Sequence, residues 1–216
     1  MGIAERRQRE REELRAAMID AAMQIVSEQG VDALSVRAVA DRIEYSHATI
    51  YLYFKSKDEL LRGVVHEGFA RFDALMNDAL AGSEAEGTAA QLAAVRRAYI
   101  DFALEHTPYF RLLFGIPGVP CVEPDCRPSD LGVLGEPLPR RHSWERFAEV
   151  ITRGIASGEL PYRDTSHGIL AFWALLHGFV SLYLAGHLDP EVSGAGELES
   201  LIASAQPGTE PRSLPR

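Results

Sequence analysis

The chain has 216 residues, 46% of them apolar and 25% charged, and carries a formal charge of −9 at pH 7. That is enough apolar material for a packed core in one or two domains, and it excludes a disordered chain, a collagen-like repeat and a disulfide-stapled scaffold. With 22 Lys and Arg against 31 Asp and Glu, it is also not a protein that coats nucleic acid without regard to sequence, and two cysteines fit a reducing compartment.

The N-terminus, MGIAERRQREREEL, holds no apolar run, so no secretory signal is predicted and a cytoplasmic protein is expected. Residues 11–29 have helical period: Met18, Ala22, Ile25 and Val26 share a face, and Gly30 stands where a left-handed cap is expected. Ser35 suits the N-cap of a short helix with Val36, Val39, Ala40 and Ile43 apolar, and Ser46 suits a second that turns Ile50 and Phe54 inward. Ser56-Lys57-Asp58-Glu59 reads as a capping box opening a helix to about Ala81. After a polar linker, 82–88, helices are predicted over 89–106 and from Pro108 to Gly115.

Residues 115–139 hold six of the twelve prolines and both cysteines, so a long loop is predicted there. Helices resume over 140–157 and 164–187, and 206–216 is expected to be disordered. Strand-like alternation is absent. The expected fold is all-α: an N-terminal arm and three-helix head over 1–56, a helical second domain over 57–205, and the tail 206–216. Gly168 to Leu188 runs 21 residues without Asp, Glu, Lys or Arg, long enough to cross a bilayer. His177 and His187 and the missing basic flank argue instead for a helix buried on all sides by protein, so no membrane partner is expected.

Charge is uneven along the chain. Residues 35–57 carry Arg37, Arg42, Lys55 and Lys57 against Asp41 and Glu44, a locally positive stretch, and the chain's two lysines are both in it. Ser35 to Phe54 has the length of a helix-turn-helix. With Ile50 and Phe54 inward, helical geometry turns Tyr45, Ala48, Thr49 and Leu52 most outward, with Tyr51 at the flank. That face has no acidic residue, and it mixes hydroxyls with small apolar groups, which suits base edges and thymine methyls in a major groove. Spacing alone fits a plain helical hairpin equally well.

The stretch VDALSVRAVADRIEYSHATIYLYFKSKDELL, Val31 to Leu61, resembles the DNA-binding domain of the TetR family of bacterial transcriptional regulators. The matching landmarks are Gly30, Val39-Ala40, Ser46, Thr49, Ile50-Tyr51, Phe54, Ser56-Lys57 and Leu60. Glu44 departs from the family's usual turn glycine, which costs about 1 kcal/mol. Farther on, AYIDFALEHTPYFRLLFG (98–115) and WALLHGFVSL (173–182) resemble the ligand-binding domain of a branch named for a Trp-His-Gly motif, which falls here on Trp173, His177 and Gly178. The resemblance implies a homodimeric, ligand-responsive repressor of double-stranded DNA. Filling the larger domain with an apolar effector would tilt the fourth helix and spread two heads that must sit about 34–36 Å apart to reach successive major grooves.

The resemblance assigns DNA contacts to Arg37, Tyr45, Ser46, His47, Ala48, Thr49, Tyr51, Tyr53, Lys55 and Lys57. Arg37 is the candidate guanine reader, Lys57 the candidate phosphate contact at a helix start, and His47 and Ala48 occupy the variable positions. Phe102, Phe110, Phe147, Trp173 and His177 are the candidate effector contacts, with His177 as polar anchor. Gly178 is expected to permit close helix approach. Cys121 and Cys126 lack the two further ligands zinc needs and read as unpaired thiols, so no metal or cofactor is expected. No nucleophile–base pair, HExxH or phosphate loop appears, so no enzyme is expected. Two alternatives remain at this point: an effector-independent structural DNA-binding protein, and an all-α small-molecule-binding protein or enzyme.

Overall fold

A computed structural model describes residues 2–114, 142–188 and 194–205. The Pro-rich stretch with Cys121 and Cys126 and the tail 206–216 lie outside the described residues. Among the described residues every regular element is helical: α1 (Ile3–Gln29), α2 (Val36–Arg42), α3 (His47–Tyr51), α4 (Lys57–Gly82), α5 (Thr88–Glu105), α6 (Thr107–Phe114), α7 (His142–Ala156), α8 (Thr165–Leu184) and α9 (Ala195–Ala205), with short 3-10 turns at Val31–Ala33 and Glu84–Glu86. The chain packs as two compact units, one of residues up to 70 with 108 onward, the other of 71–107 with 140 onward.

In the first unit α1 packs on α2 and α2 on α3. The predicted apolar face is its core: Met18, Ala22, Val39, Ala40, Ile50 and Leu60 are fully buried, with Phe54 nearly so. Ser35 and Ser46 cap as predicted, accepting from the amides of Ala38 and Thr49 at 3.0 and 3.1 Å. Gly30 has φ +84° and ψ 169°, an extended conformation at positive φ rather than the expected left-handed cap, and one open essentially to glycine alone. The box at Ser56 forms by half: Ser56 accepts from the Glu59 amide at 3.1 Å, but the Glu59 carboxylate reaches past the cap to the Lys55 amide at 2.7 Å. In α6, Phe114 stands edge-on to Phe69 and tilted against Phe110.

In the second unit α5 packs on α7, α8 and α9, and α8 on α9. A Cβ on Gly154 would come within 2.7 Å of Thr88 and Leu160, so α7 meets α5 where only glycine fits. The Asp73 carboxylate accepts from the Ser143 amide at 3.1 Å and from its hydroxyl, so α4 caps the start of α7. Near the chain's end Glu199 on α9 bridges Arg96 and Arg97 on α5.

Further expectations change. The first helix begins at Ile3, not near residue 11, because an Arg/Glu-rich run has good helix propensity without an apolar stripe to reveal it. A ninth helix, α9, went unpredicted; its apolar face is only Leu198 and Ile202, too short to register as periodicity. Finally, α8 is not buried on all sides: Gly168, Ile169, Phe172, Leu176 and Val180 are buried, while Leu170 is 58% and Leu182 45% exposed. Nothing lies within 4 Å of a Cβ built on Gly178, so that glycine serves no close approach within the chain. By length and composition α8 could cross a membrane; its buried stripe packs it as one wall of a helical unit.

Candidate nucleic-acid interface and buried polar cluster

The turn between α2 and α3 sets the first site. Tyr45 donates its amide to the Ala40 carbonyl at 3.0 Å, the closure of a Schellman turn, and this requires a left-handed residue at position 44. Glu44 takes it, with φ +59°. The tight turn swings α3 across α2, so that Ile50 and Phe54 go to the core and the opposite side faces out. Tyr45 is 48%, Tyr51 53% and Leu52 75% exposed, and Ser46, His47 and Ala48 are exposed beside them. Three large apolar side chains in water on a small unit are a surface built for contact.

The polar residues of this face are held in place. The hydroxyls of Ser46 and Thr49 share a hydrogen bond of 2.8 Å. Asp41, a residue that sequence reasoning did not single out, stands between Arg37 (3.9 Å) and His47 (3.4 Å). Its carboxylate holds both side chains against α2, and the i, i+4 spacing from Arg37 could have revealed half of this arrangement. Lys57 spends one donor on the Asp32 carbonyl at 3.2 Å and keeps two for an anion; Lys55 is exposed and Tyr53 half-buried.

Arg42 does not contribute to this face. Its guanidinium makes a two-pronged pair with Glu28 on α1, at 3.1 and 2.5 Å, and reaches Gln24 at 3.4 Å. The hydrogen bonds of that pair hold the Glu28 carboxyl below the usual range and raise Arg42. The locally positive stretch of the sequence therefore loses one of its four cations to a clamp between α1 and α2.

The candidate effector residues do not all gather. Phe110 lies in the first unit, and Phe102, Phe147, Trp173 and His177 in the second. Phe147 packs against Phe172 and Trp144. Phe102, fully buried, sits edge-on to Phe72, which in turn meets Tyr99. Tyr99 then joins His177: its hydroxyl lies 2.9 Å from Nδ1, and Ser181 Oγ lies 3.4 Å from Nε2. Trp173 stacks on the imidazole, ring centroids 5.3 Å apart.

The Tyr99 hydroxyl and Nδ1 therefore share one hydrogen bond, and Nε2 is turned toward Ser181. Burial pushes the Tyr99 phenol up and the His177 imidazole down, so both are neutral at pH 7. The Trp-His pair is thus packed and hydrogen-bonded in this structure. Spacing along α8 gives no sign of Tyr99 as the partner of His177, and Phe72 was missed altogether.

Residues 18–64 match the family described as bacterial regulatory proteins, tetR family, and residues 92–205 match the tetracyclin repressor-like C-terminal domain. The HTH-type transcriptional repressor KstR of Mycobacterium tuberculosis is 45% identical over 67 residues, 31% of this chain and 29% of that protein. The chain thus spans under a third of that relative's length. The HTH-type transcriptional repressor Rv3405c of the same species is 28% identical over 158 residues, covering 69% of this chain and 81% of the relative. Among solved structures, a protein with unknown function from Rhodococcus sp. RHA1 superposes with a TM-score of 0.70 at 26% identity, over 89% of this chain and 92% of that one. A tetR-family bacterial regulatory protein from Rhodococcus RHA1 shares the fold, with a TM-score of 0.64 at 19% identity over 89% and 97%.

Proposed function

The chain belongs to the TetR family of bacterial regulatory proteins, and from that premise we propose that it is a cytoplasmic homodimeric repressor that holds a palindromic operator and releases it when a small apolar effector binds. The observation that carries this reading is the α3 face. Tyr45, Ala48, Tyr51 and Leu52 stand outward on a helix anchored by Ile50 and Phe54, and a major groove accepts a helix with such a face. Arg37 reads a base, with Asp41 holding it extended along α2 until DNA competes for the guanidinium. Ser46, Thr49, Tyr53, Lys55 and Lys57 supply backbone contacts, and His47 and Ala48 tune preference.

Residues 1–56 act as the head and 57–205 as the effector and dimer domain. The match of 173–182 to the Trp-His-Gly branch belongs to this proposal too, with Phe102, Phe147, Trp173 and His177 of the second unit toward the effector. The Tyr99–His177 bond gives that role a form: an effector with one polar group can take the place of either partner, and the aromatic side chains around it supply the apolar contact. The second copy lies along α8. Leu170, Ala174, Gly178 and Leu182 recur every four residues opposite the buried stripe, and a small residue at 178 lets two such helices approach. Val180, fully buried in its own chain, belongs to the core rather than to that interface.

Selection from genomic fragments tests the reading. The protein should recover a short inverted repeat and protect it in footprints. Release should follow addition of one class of apolar compound and require differential affinity for the DNA-free state. Recovery of no sequence above background would refute it.

A further inference from the structure

With Arg42 committed to Glu28, the positive charge facing DNA has to come from elsewhere, and α1 supplies it. Its first turns hold Arg6, Arg7, Arg9, Arg11 and Arg15 among four glutamates, and three of the five arginines share a face that holds no glutamate. Arg7, Arg11 and Arg15 follow one another at four-residue spacing, stepping about 40° around the axis. They continue the line of Met18 and Ala22, both fully buried. The core-facing stripe of α1 therefore turns from apolar to arginine as the helix runs beyond the head.

The glutamates stand at the flanks and back, where Glu10 pairs with Arg6 at 3.5 Å and Glu12 takes a hydrogen bond from Gln8. Arg7 and Arg11 have no ion pair among the described residues. The stripe starts where α3 ends: the Arg15 guanidinium lies over the Phe54 ring at 5.3 Å, and that of Arg11 over Tyr53 at 5.7 Å. Tyr53 is itself a candidate DNA contact.

We infer that Arg7 and Arg11 form a second DNA contact, a phosphate clamp that continues from the end of α3 along the backbone beside the groove; this rests on the DNA-binding reading above. Duplex phosphate is the occupant that charge selects, because a one-sided arginine row on a chain of charge −9 has the opposite sign to its own molecule and the right sign for DNA. The stacking on Tyr53 holds the first guanidinium in place, and phosphate contacts of this kind position the protein without reading sequence.

The probe is a duplex about 40 base pairs long, recovered by the wild-type protein from a randomised pool and titrated across a salt series. Each phosphate contact contributes about 0.9 to the slope of log K against log salt. With two copies of each arginine in the dimer, the Arg7→Gln/Arg11→Gln variant should flatten that slope by about 4, with the preferred sequence unchanged. Arg7→Lys/Arg11→Lys should keep it. Arg7→Gln alone, which breaks no hydrogen bond or ion pair among the described residues, should flatten it by about 2 in the dimer. A wild-type slope in both glutamine variants overturns the clamp and leaves the α3 reading standing; a wild-type protein that recovers no duplex overturns both.

Discussion

Replacing His177 by Phe should destabilise the second unit and remove part of its pH dependence. Tyr99 is only 2% exposed, and its hydroxyl shares a hydrogen bond of 2.9 Å with His177 Nδ1. Losing that bond in a buried place costs about 1–3 kcal/mol. Tyr99→Phe, which leaves a half-buried imidazole that water can reach, should cost less, about 0.5–1.5 kcal/mol. The double variant should then recover part of the sum, since residues in direct contact do not add. Burial holds the folded-state imidazole below its ordinary 6.5, so below that pH the unfolded chain binds the extra proton first. Stability from this group is full above about pH 6.5 and falls as the pH drops toward the folded value. Glu28 and Asp164 titrate below the usual carboxylate range, Glu28 through its bond to Arg42 and Asp164 through the His167 amide, while burial raises Asp101 on α5 toward this window, where its protonation adds stability as the pH falls and so opposes the histidine. Both tryptophans, Trp144 and Trp173, lie in the second unit, so urea unfolding followed by tryptophan fluorescence reports on it. Equal stability of wild type and His177→Phe at pH 7.5, with the same loss on going to pH 5.5, would refute the hydrogen-bonded reading.

Glu44→Gly relieves a left-handed residue worth about 1 kcal/mol and adds glycine's own entropy cost, so the head should be unchanged to about 1 kcal/mol more stable. Glu44→Val should be clearly less stable, and a valine variant that unfolds with the wild type would remove the turn argument. Arg37→Ala should relax preference at one base pair by about 1–3 kcal/mol, measured on duplexes altered one position at a time. Asp41→Asn should strengthen binding to all sequences, because the guanidinium no longer has to leave a carboxylate; weaker binding would reassign Asp41 to direct recognition. Leu182→Glu on the outward side of α8 should convert dimer to monomer in sedimentation without unfolding. An unchanged dimer would move the interface elsewhere.

The head was legible because short-range rules set it. Ser35 and Ser46 mark two helix starts, Ile50 and Phe54 at i, i+4 set which side of α3 is buried, and what faces out follows from the geometry of one turn. Glu44 shows the limit of the same rules. A residue that pattern alone would count against the turn still takes φ +59° there, because the buried residues of α2 and α3 on either side leave the chain no other path. Arg42 was illegible for a different reason. Summed charge says how many cations a segment holds, but which of them are already paired depends on α1, and Glu28 lies 14 residues away in sequence.

That difference in range also explains the second unit. Trp173 and His177 share a helix face by spacing, so their stacking could be expected. Tyr99 stands 78 residues from His177, and no periodicity links them; only packing α5 against α8 does. The same packing gives the cluster its chemistry. A tyrosine buried alone would need a partner from water, and a histidine on a bare apolar face would need one as well. Together they satisfy one another, and burial makes the neutral imidazole the stable form. An effector that enters here must replace at least one of those bonds with one of its own, because leaving Tyr99 or His177 unpaired would cost much of what apolar contact contributes. Purely hydrocarbon compounds should therefore release DNA poorly, and compounds of the same size with one hydroxyl or carbonyl should release it well. His177→Phe should narrow that difference by removing the group that rewards it, and a release titration comparing the two compound types on both proteins decides the point. Equal potency of the two types on the wild type would separate the Tyr99–His177 pair from effector recognition and leave it a bond that holds α5 to α8.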